Sequence, residues 1–539
     1  MLNIDLNNLP DDVGKLKQII VDLVDDFQSQ IEELNKKLRL FQQAIYGRRS
    51  EKRPPTPPPF VQPLPFFDTT PPAEPEPPVK ETHVPAHTRR VPRRRPAPKE
   101  LPVVEVVHDI PEHAKLCSCS HPLTEIRREV SEQIEIVPGR IVVIRHVRPL
   151  YACKACEGIE AEHPVKIAPP PPQILPKSIA GPGLLADILV AKFVDHIPFY
   201  RKAQQFARLG ISISRASMSE WAIKVATACM AIYNLMVSAL LDAPIIGADE
   251  TPLQVLDEPG RAPTSRSYIW VFYTGVPGAW KVVVYHYAPS RSKEVARQFL
   301  DGYQGYVQTD GYAGYDFLDS IEGVTHVGCW AHARRKFYEV IKARPANLQV
   351  PKQGTADHAL ECIGALYAIE REAKQKALPP EAVKDLRQEK AVPILHRLHA
   401  WLQERQPEVP PRSLLGKAIG YTLDQWPRLT RYTEDGRLAI DNNRVENSIR
   451  PFALGRKNWL FAGSAKGAES SAILYTIIHT AKANAHEPTA YLRYLFHFLP
   501  RATRLEDLEA LLPWRLSPET AQRFEPWPEL ARIPEHAPG

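Results

Sequence analysis

Three acidic residues stand in settings unlike those of ordinary solvated carboxylates. They are Asp249 in APIIGADETPLQVL, Asp310 in GYVQTDGYAGYDFL and Glu446 in AIDNNRVENSIRPFALGRKNWLF. Oxygen-only ligands select hard divalent ions such as Mg2+, with Mn2+ an allowed substitute, and such ions keep waters and bind phosphates. Facing carboxylates repel one another, and divalent cations relieve that repulsion. Two ions held ~4 Å apart activate a water or 3′-hydroxyl on one side of a phosphorus and stabilise the leaving oxygen on the other. The chemistry expected of Asp249, Asp310 and Glu446 is therefore in-line phosphoryl transfer on a nucleic acid.

The surrounding pattern must bring these acids together. From Ala243 onward, APIIGADETPLQVL, SYIWVFYTG and KVVVYHYA read as strands, short and rich in β-branched and aromatic residues. A helix-like SKEVARQFLDGY comes next, then a strand ending in Asp310, then THVGCWAHARRKFYEV as a strand running into a basic helix. Three meander strands, a crossover helix and two further strands are the order of an RNase H-like mixed sheet. In that order the first and fourth strands are neighbours, so Asp249 and Asp310 meet. Asp441 or Asn442 is expected to cap the helix carrying Glu446 inward, and Pro451 to kink or end it. The catalytic domain is read as 243–480, with a helical insertion at about 355–430, and a carboxy-terminal helical segment as 485–525.

Positive charge surrounds the acids. Arg450, Arg456 and Lys457 follow Glu446, joined by Arg444 and Lys466, as a site receiving a phosphodiester requires. In GCWAHARRKF, His332 is expected beside the acids, touching DNA or a carboxylate, with Arg334 and Arg335 on phosphates. Cys329 and His332 have the C-x-x-H spacing of a metal pair, but a pair without partners is more often a buried thiol and a polar contact. Glu250 falls on the opposite face of its strand from Asp249 and is read as structural.

The amino-terminal part reads as separate modules. A heptad stripe places Ile20, Phe27, Leu34 and Phe41 at one core position and Val24, Ile31, Leu38 and Ile45 at the other, so 11–47 is expected to be a coiled coil that self-associates. Sixteen of the chain's 54 prolines fall in the 51–100 linker, which ends in Arg89, Arg90, Arg93, Arg94 and Arg95, a run suited to phosphates or the minor groove. The strand-rich 101–165 holds Cys117 and Cys119, then Cys153 and Cys156, a thiolate set that fits one structural zinc, with His113 and His121 as alternative ligands. Residues 178–241 read as helices broken at Gly210, compatible with a helix-turn-helix whose recognition helix starts between Ser214 and Trp221, or with two helices simply packed together. Seven cysteines in 539 residues are too few for a secreted disulfide framework, and no eighteen-residue apolar run occurs, so a cytoplasmic protein without membrane contact is expected. A net charge of +6 is modest for this length, so affinity for nucleic acid must come from local patches.

The motifs GADETPLQV, VQTDGYAGYD, GCWAHARRKF and DNNRVENSIRPFALGRKNWLFAGS together resemble the IS66 family of bacterial insertion-sequence transposases over nearly the whole chain. The resemblance implies a DDE-type transposase acting on terminal inverted repeats and on target double-stranded DNA, with the acidic triad at Asp249, Asp310 and Glu446. It also implies small accessory proteins of the same element. Two other readings remain: a catalytically inactive transposase-derived DNA-binding regulator, and a general RNase H-like nuclease that cuts without joining.

Overall fold

The computed structural model describes residues 103–115, 122–137, 140–152, 165–274, 280–343 and 354–527. The heptad segment, the linker with Arg89, Arg90, Arg93, Arg94 and Arg95, and Cys117, Cys119, Cys153 and Cys156 lie outside them.

The first sheet is built from β1 (Val103–Val107), β2 (Thr124–Val137), β3 (Arg140–Ala152) and β4 (Val165–Ile167). The long strands β2 and β3 pair antiparallel from Val137↔Arg140 to Thr124↔Ala152, while β1 adds parallel to β3. Val104, Val142 and Ile144 are buried on one face and are covered by Trp527. Glu135, buried in β2, joins this sheet to the helices beyond it. Its carboxylate accepts the Leu184 N–H at 2.9 Å in the first turn of α1 (Pro182–Phe193) and the Trp527 indole N–H at 3.4 Å. A carboxylate at a helix start both satisfies a free N–H and meets the positive end of the helix dipole.

Helices α2 (Phe199–Arg208), α3 (Arg215–Ala228) and α4 (Met230–Leu241) come next. The break between α2 and α3 falls at Gly210, whose φ of +77° suits glycine, and Ser214 caps α3 by accepting the Ser217 N–H at 3.0 Å. Met218, Ala222, Val225 and Ala226 bury one face of α3, and Arg215, Glu220 and Lys224 line the exposed one. Among the described residues, no single helix is long and apolar enough to cross a membrane.

The second sheet is mixed. Strands β5 (Ile245–Asp257), β6 (Arg266–Thr274) and β7 (Val283–Ala288) form an antiparallel meander, α5 (Lys293–Phe299) crosses over, and β8 (Gly305–Gln308) and β9 (Val324–Val327) add in parallel beyond β5. The spatial order is β7-β6-β5-β8-β9. Helix α6 (Trp330–Lys342) leaves β9 and opens the helical insertion: α7 (Thr355–Gln375), α8 (Pro380–Leu386), α9 (Val392–Arg405), α10 (Leu414–Asp424) and α11 (Trp426–Thr430). These helices share their own core of Trp330, Phe337, Ile363, Leu366, Leu395 and Leu402. Inside it lies Arg387, 2% exposed, bonded to both oxygens of Glu370 at 2.9 and 2.7 Å and to the carbonyls of Tyr432, Asp435 and Leu438.

The chain then returns to the sheet through α12 (Asn443–Trp459), the short β10 (Ala462–Ser464), which pairs parallel to the end of β5, and α13 (Ala465–Ala483). Helix α13 packs along β7, an edge strand, where Thr480 and Thr476 accept the N–H groups of Val283 and Tyr285 at 3.1 and 2.9 Å. Threonine hydroxyls thus occupy positions that an added strand would take. Helices α14 (Pro488–Phe498), α15 (Leu505–Glu509) and α16 (Pro518–Arg523) close the described chain. Apolar residues of α1, α3 and α4, of the second sheet and of α13 and α14 belong to one continuous core.

Pro451 does not end its helix: α12 runs through it to Trp459. Burial of Val445, Phe452, Gly455 and Trp459 along one face outweighs the hydrogen bond that the Asn447 carbonyl loses to the missing proline N–H.

Candidate active site

Strands β5 and β8 pair in parallel with Ile245 opposite Tyr306, Ile246 opposite Val307 and Gly247 opposite Gln308. Two residues further on in the same register come Asp249, inside β5, and Asp310, just past the end of β8. Each is fixed locally: Asp249 Oδ1 accepts the Glu250 N–H at 2.7 Å, and Asp310 Oδ1 accepts the Tyr312 N–H at 3.0 Å. Burial pushes the Asp249 carboxyl up to about 8, and the negative charges of Glu250, Asp310 and, more weakly, Glu446 add to the rise. Repulsion from three other carboxylates is the signature of a place where a cation lowers the energy. The oxygen-only donors Asp249 and Asp310 fit a hard divalent ion.

Glu446 sits in the first turn of α12. That turn is docked on β5 at Gly247, where an added Cβ would overlap Val445 Cγ2 and lie 2.9 Å from Asn442 Oδ1. Asn442 occupies the N-cap position, but its side chain does not cap. Its amide donates to the Ala248 carbonyl at 3.0 Å, and its backbone N–H points to Cys329 Sγ at 3.2 Å. Asp441 takes part of the capping role instead, accepting the Asn443 N–H at 3.2 Å through Oδ1 and the Tyr367 hydroxyl at 2.9 Å through Oδ2.

The Glu446 carboxylate is turned toward the C-x-x-H segment. His332 Nδ1 lies 3.7 Å from Oε1 and Arg335 Nη2 lies 3.6 Å from Oε2. Both His332 Nδ1 and Glu446 Oε1 are buried without a hydrogen-bond partner. Cys329, His332 and Glu446 form the group, among the described residues, whose ligand atoms all lie within 4.8 Å of one another; Asp249, Asp310 and Glu446 are not that tightly gathered. Glu446 is thus coupled to Asp249 electrostatically, while its carboxylate is turned toward Cys329 and His332. The residue expected beside the acids, His332, is in contact with one.

Glu250 is held away from solvent, its side chain 1% exposed, by Arg291 at 2.6 Å and the Tyr315 hydroxyl at 2.7 Å. Arg291 also stacks over Tyr312, 3.6 Å from the ring centroid. This cluster ties the segment after Asp310 to the strand bearing Asp249. Of the basic residues singled out, Arg334, Arg335, Arg450 and Lys457 are exposed. Arg456 is spent on β5, donating to Thr251 Oγ1 at 3.0 Å and to the Pro252 carbonyl. Sequence reasoning missed Gly247, Asn442, Arg291 and Tyr315. Only Asn442, inside the DNN run before Glu446, carried a local signal, and that signal pointed to a cap.

Comparison with known proteins adds to this geometry. Residues 177–470 match the family described as Transposase IS66 family, and residues 476–514 match the IS66 C-terminal element. Residues 114–157, which span all four clustered cysteines, match the zinc-finger binding domain of transposase IS66, and residues 33–106 match the domain described as Transposase C of IS166 homeodomain. Uncharacterized protein y4jD of Sinorhizobium fredii (strain NBRC 101917 / NGR234) is 34% identical over 431 residues, 77% of this chain and 81% of that protein. Uncharacterized protein y4hP of the same strain is 30% identical over 456 residues, 81% and 79% respectively. The matches of the mixed α/β unit to a transposase family and of the region before it to a zinc-finger domain of transposases define the class as a transposase. The chain belongs to the IS66 transposase family.

Proposed function

We propose that the chain is a DDE-type DNA transposase with an RNase H-like core. In this reading it binds the terminal inverted repeats of a bacterial insertion sequence, cleaves a strand at each end and joins the 3′-hydroxyl to target DNA. The observation that supports it most is the parallel pairing of β5 with β8 up to Gly247 and Gln308, two residues before Asp249 and Asp310, with the Glu446 helix seated on Gly247. Asp249, Asp310 and Glu446 would hold two Mg2+ ions, or Mn2+ in their place; such ions, when bound, supply an activated nucleophile and neutralise charge on the leaving oxygen.

The chain's own residues do the positioning. Arg334, Arg335, Arg450 and Lys457 present positive charge to the phosphodiester, and Arg89, Arg90, Arg93, Arg94 and Arg95 extend that grip along the DNA. His332 orients Glu446. Cys117, Cys119, Cys153 and Cys156 hold one structural zinc within the zinc-finger match. The exposed face of α3 serves as the recognition surface of a helix-turn-helix. The heptad segment pairs protomers so that both ends are held in a homo-oligomer, assisted by small accessory proteins of the same element.

The test uses the full chain, Mg2+ and a labelled terminal repeat. The expected result is strand cleavage followed by joining. Asp249→Ala, Asp310→Ala and Glu446→Ala should each lower the rate on the order of a thousandfold or more while keeping DNA binding. Binding without any cleavage by the unaltered chain would favour the inactive regulator. Indiscriminate cutting without joining would favour a general nuclease.

A further inference from the structure

Beside Glu446, between α6, α7 and the start of α12, lies a cavity of about 540 Å³. Its walls include Arg334, Arg335, Tyr338, Tyr367, Arg371 and Asn443, and among the described residues no carboxylate lines it. Arg335 reaches Glu446 at 3.6 Å; among the described residues neither Arg334 nor Arg371 is in an ion pair. Tyr338 is a large ring left 52% exposed, whereas Tyr367 is anchored through its hydroxyl to Asp441. The cavity is thus positively charged, aromatic and joined by Arg335 and Asn443 to the helix turn that carries Glu446.

Unpaired arginines ask for an anion, and the exposed Tyr338 offers a face on which a nucleobase stacks whatever its sequence. A duplex bound by its backbone alone would leave that ring without purpose, because its bases are stacked on each other. A base reaches a side pocket only when its nucleotide is extruded from the helix, at an energy cost that the pocket must offset. Asn443 adds an amide that pairs with a base edge.

We infer that this cavity is a subsite for one unpaired DNA nucleotide. Its base stacks on Tyr338, its phosphate lies on Arg334 and Arg371, and it adjoins the phosphodiester delivered to Glu446. The inference rests on the proposed function, since it is DNA strand cleavage that gives an extruded nucleotide a place in the reaction. It gives the helical insertion a role that its sequence did not disclose.

The test measures binding of the full chain, without divalent ions, to three duplexes: fully paired, carrying one extruded 2-aminopurine, and carrying an abasic site in its place. Stacking on one aromatic ring should favour the extruded base over the abasic site by about tenfold, with quenching of 2-aminopurine fluorescence. Tyr338→Ala should abolish that preference and the quenching, Tyr338→Phe should retain both, and affinity for the paired duplex should be unchanged in each. Arg371→Gln should weaken binding of the extruded-base duplex and reduce its salt slope by about one. Gly364→Trp supplies an independent block, because Gly364 lines the cavity and an added Cβ there meets nothing within 4 Å. Equal affinity for the extruded base and the abasic site would overturn the inference, as would a preference that survives Gly364→Trp. A chain that prefers the extruded base yet never cleaves in Mg2+ would sink the transposase reading and leave the subsite. A chain that cleaves and joins but shows no preference would do the reverse.

Discussion

Two regions of this molecule bury charge, and they treat it in opposite ways. In the helical insertion, Arg387 is enclosed but fully answered, by both oxygens of Glu370 and by three backbone carbonyls. Within β5, Asp249 faces other carboxylates, and nearby Glu446 Oε1 and His332 Nδ1 have no hydrogen-bond partner. A satisfied buried charge holds a fold together; an unsatisfied one is a place kept ready for something that arrives later. The contrast separates a structural ion pair from a functional site more sharply than burial alone, which the two share.

The largest loss of stability should come from Glu370→Ala, which strands the Arg387 charge in the insertion core and should cost about 3 kcal/mol in denaturant unfolding. An unchanged midpoint would show that Arg387 is not held as described. Saturating Mg2+ should stabilise the unaltered chain by about 2.7 kcal/mol at a hundred times its dissociation constant, and should do little for Asp249→Asn or Asp310→Asn. Equal stabilisation of all three would place the ion elsewhere.

Gly247→Ala should cost about 1–3 kcal/mol and slow cleavage by more than the lost stability explains, because the added methyl pushes Val445 and the Glu446 helix off β5. A separate effect concerns pH. The Asp249 carboxyl is raised from its ordinary value of 3.8 to about 8, so the folded, ion-free chain holds a proton that the unfolded chain has released. Between those values stability falls as pH rises. Asp249→Asn removes this dependence, so its stability advantage over the unaltered chain should grow from pH 4 to pH 8 without Mg2+ and shrink when Mg2+ is added. A constant gap across that range, read by thermal unfolding, would contradict the burial and repulsion assigned to Asp249.

Much of the site was legible because strands announce themselves locally. The β-branched runs mark five strands in the order observed, and the crossover between β7 and β8 is enough to place Asp310 next to Asp249. The helix bearing Glu446 was legible too, but its manner of attachment was not. Asn442 has the composition of a cap and serves as a clamp on Ala248, since its choice of partner depends on a strand 194 residues away. Arg456 looked like a phosphate ligand and is committed to Thr251 and Pro252 for the same reason. Arg291 and Tyr315, which hold Glu250, sit in segments with no distinguishing pattern.

The residue types and their periodicity alone determined the mixed α/β class, the succession of strands and the acids with their basic surroundings, and the resemblance of four motifs pointed to the transposase family. Tertiary structure decided which polar groups are spent on one another and which are left open: Arg387 closed, Arg334 and Arg371 open, Glu446 turned toward His332. The reason is physical. Element type comes from local spacing of apolar side chains, but satisfaction of a polar group depends on distant partners, and only the folded chain sets those distances.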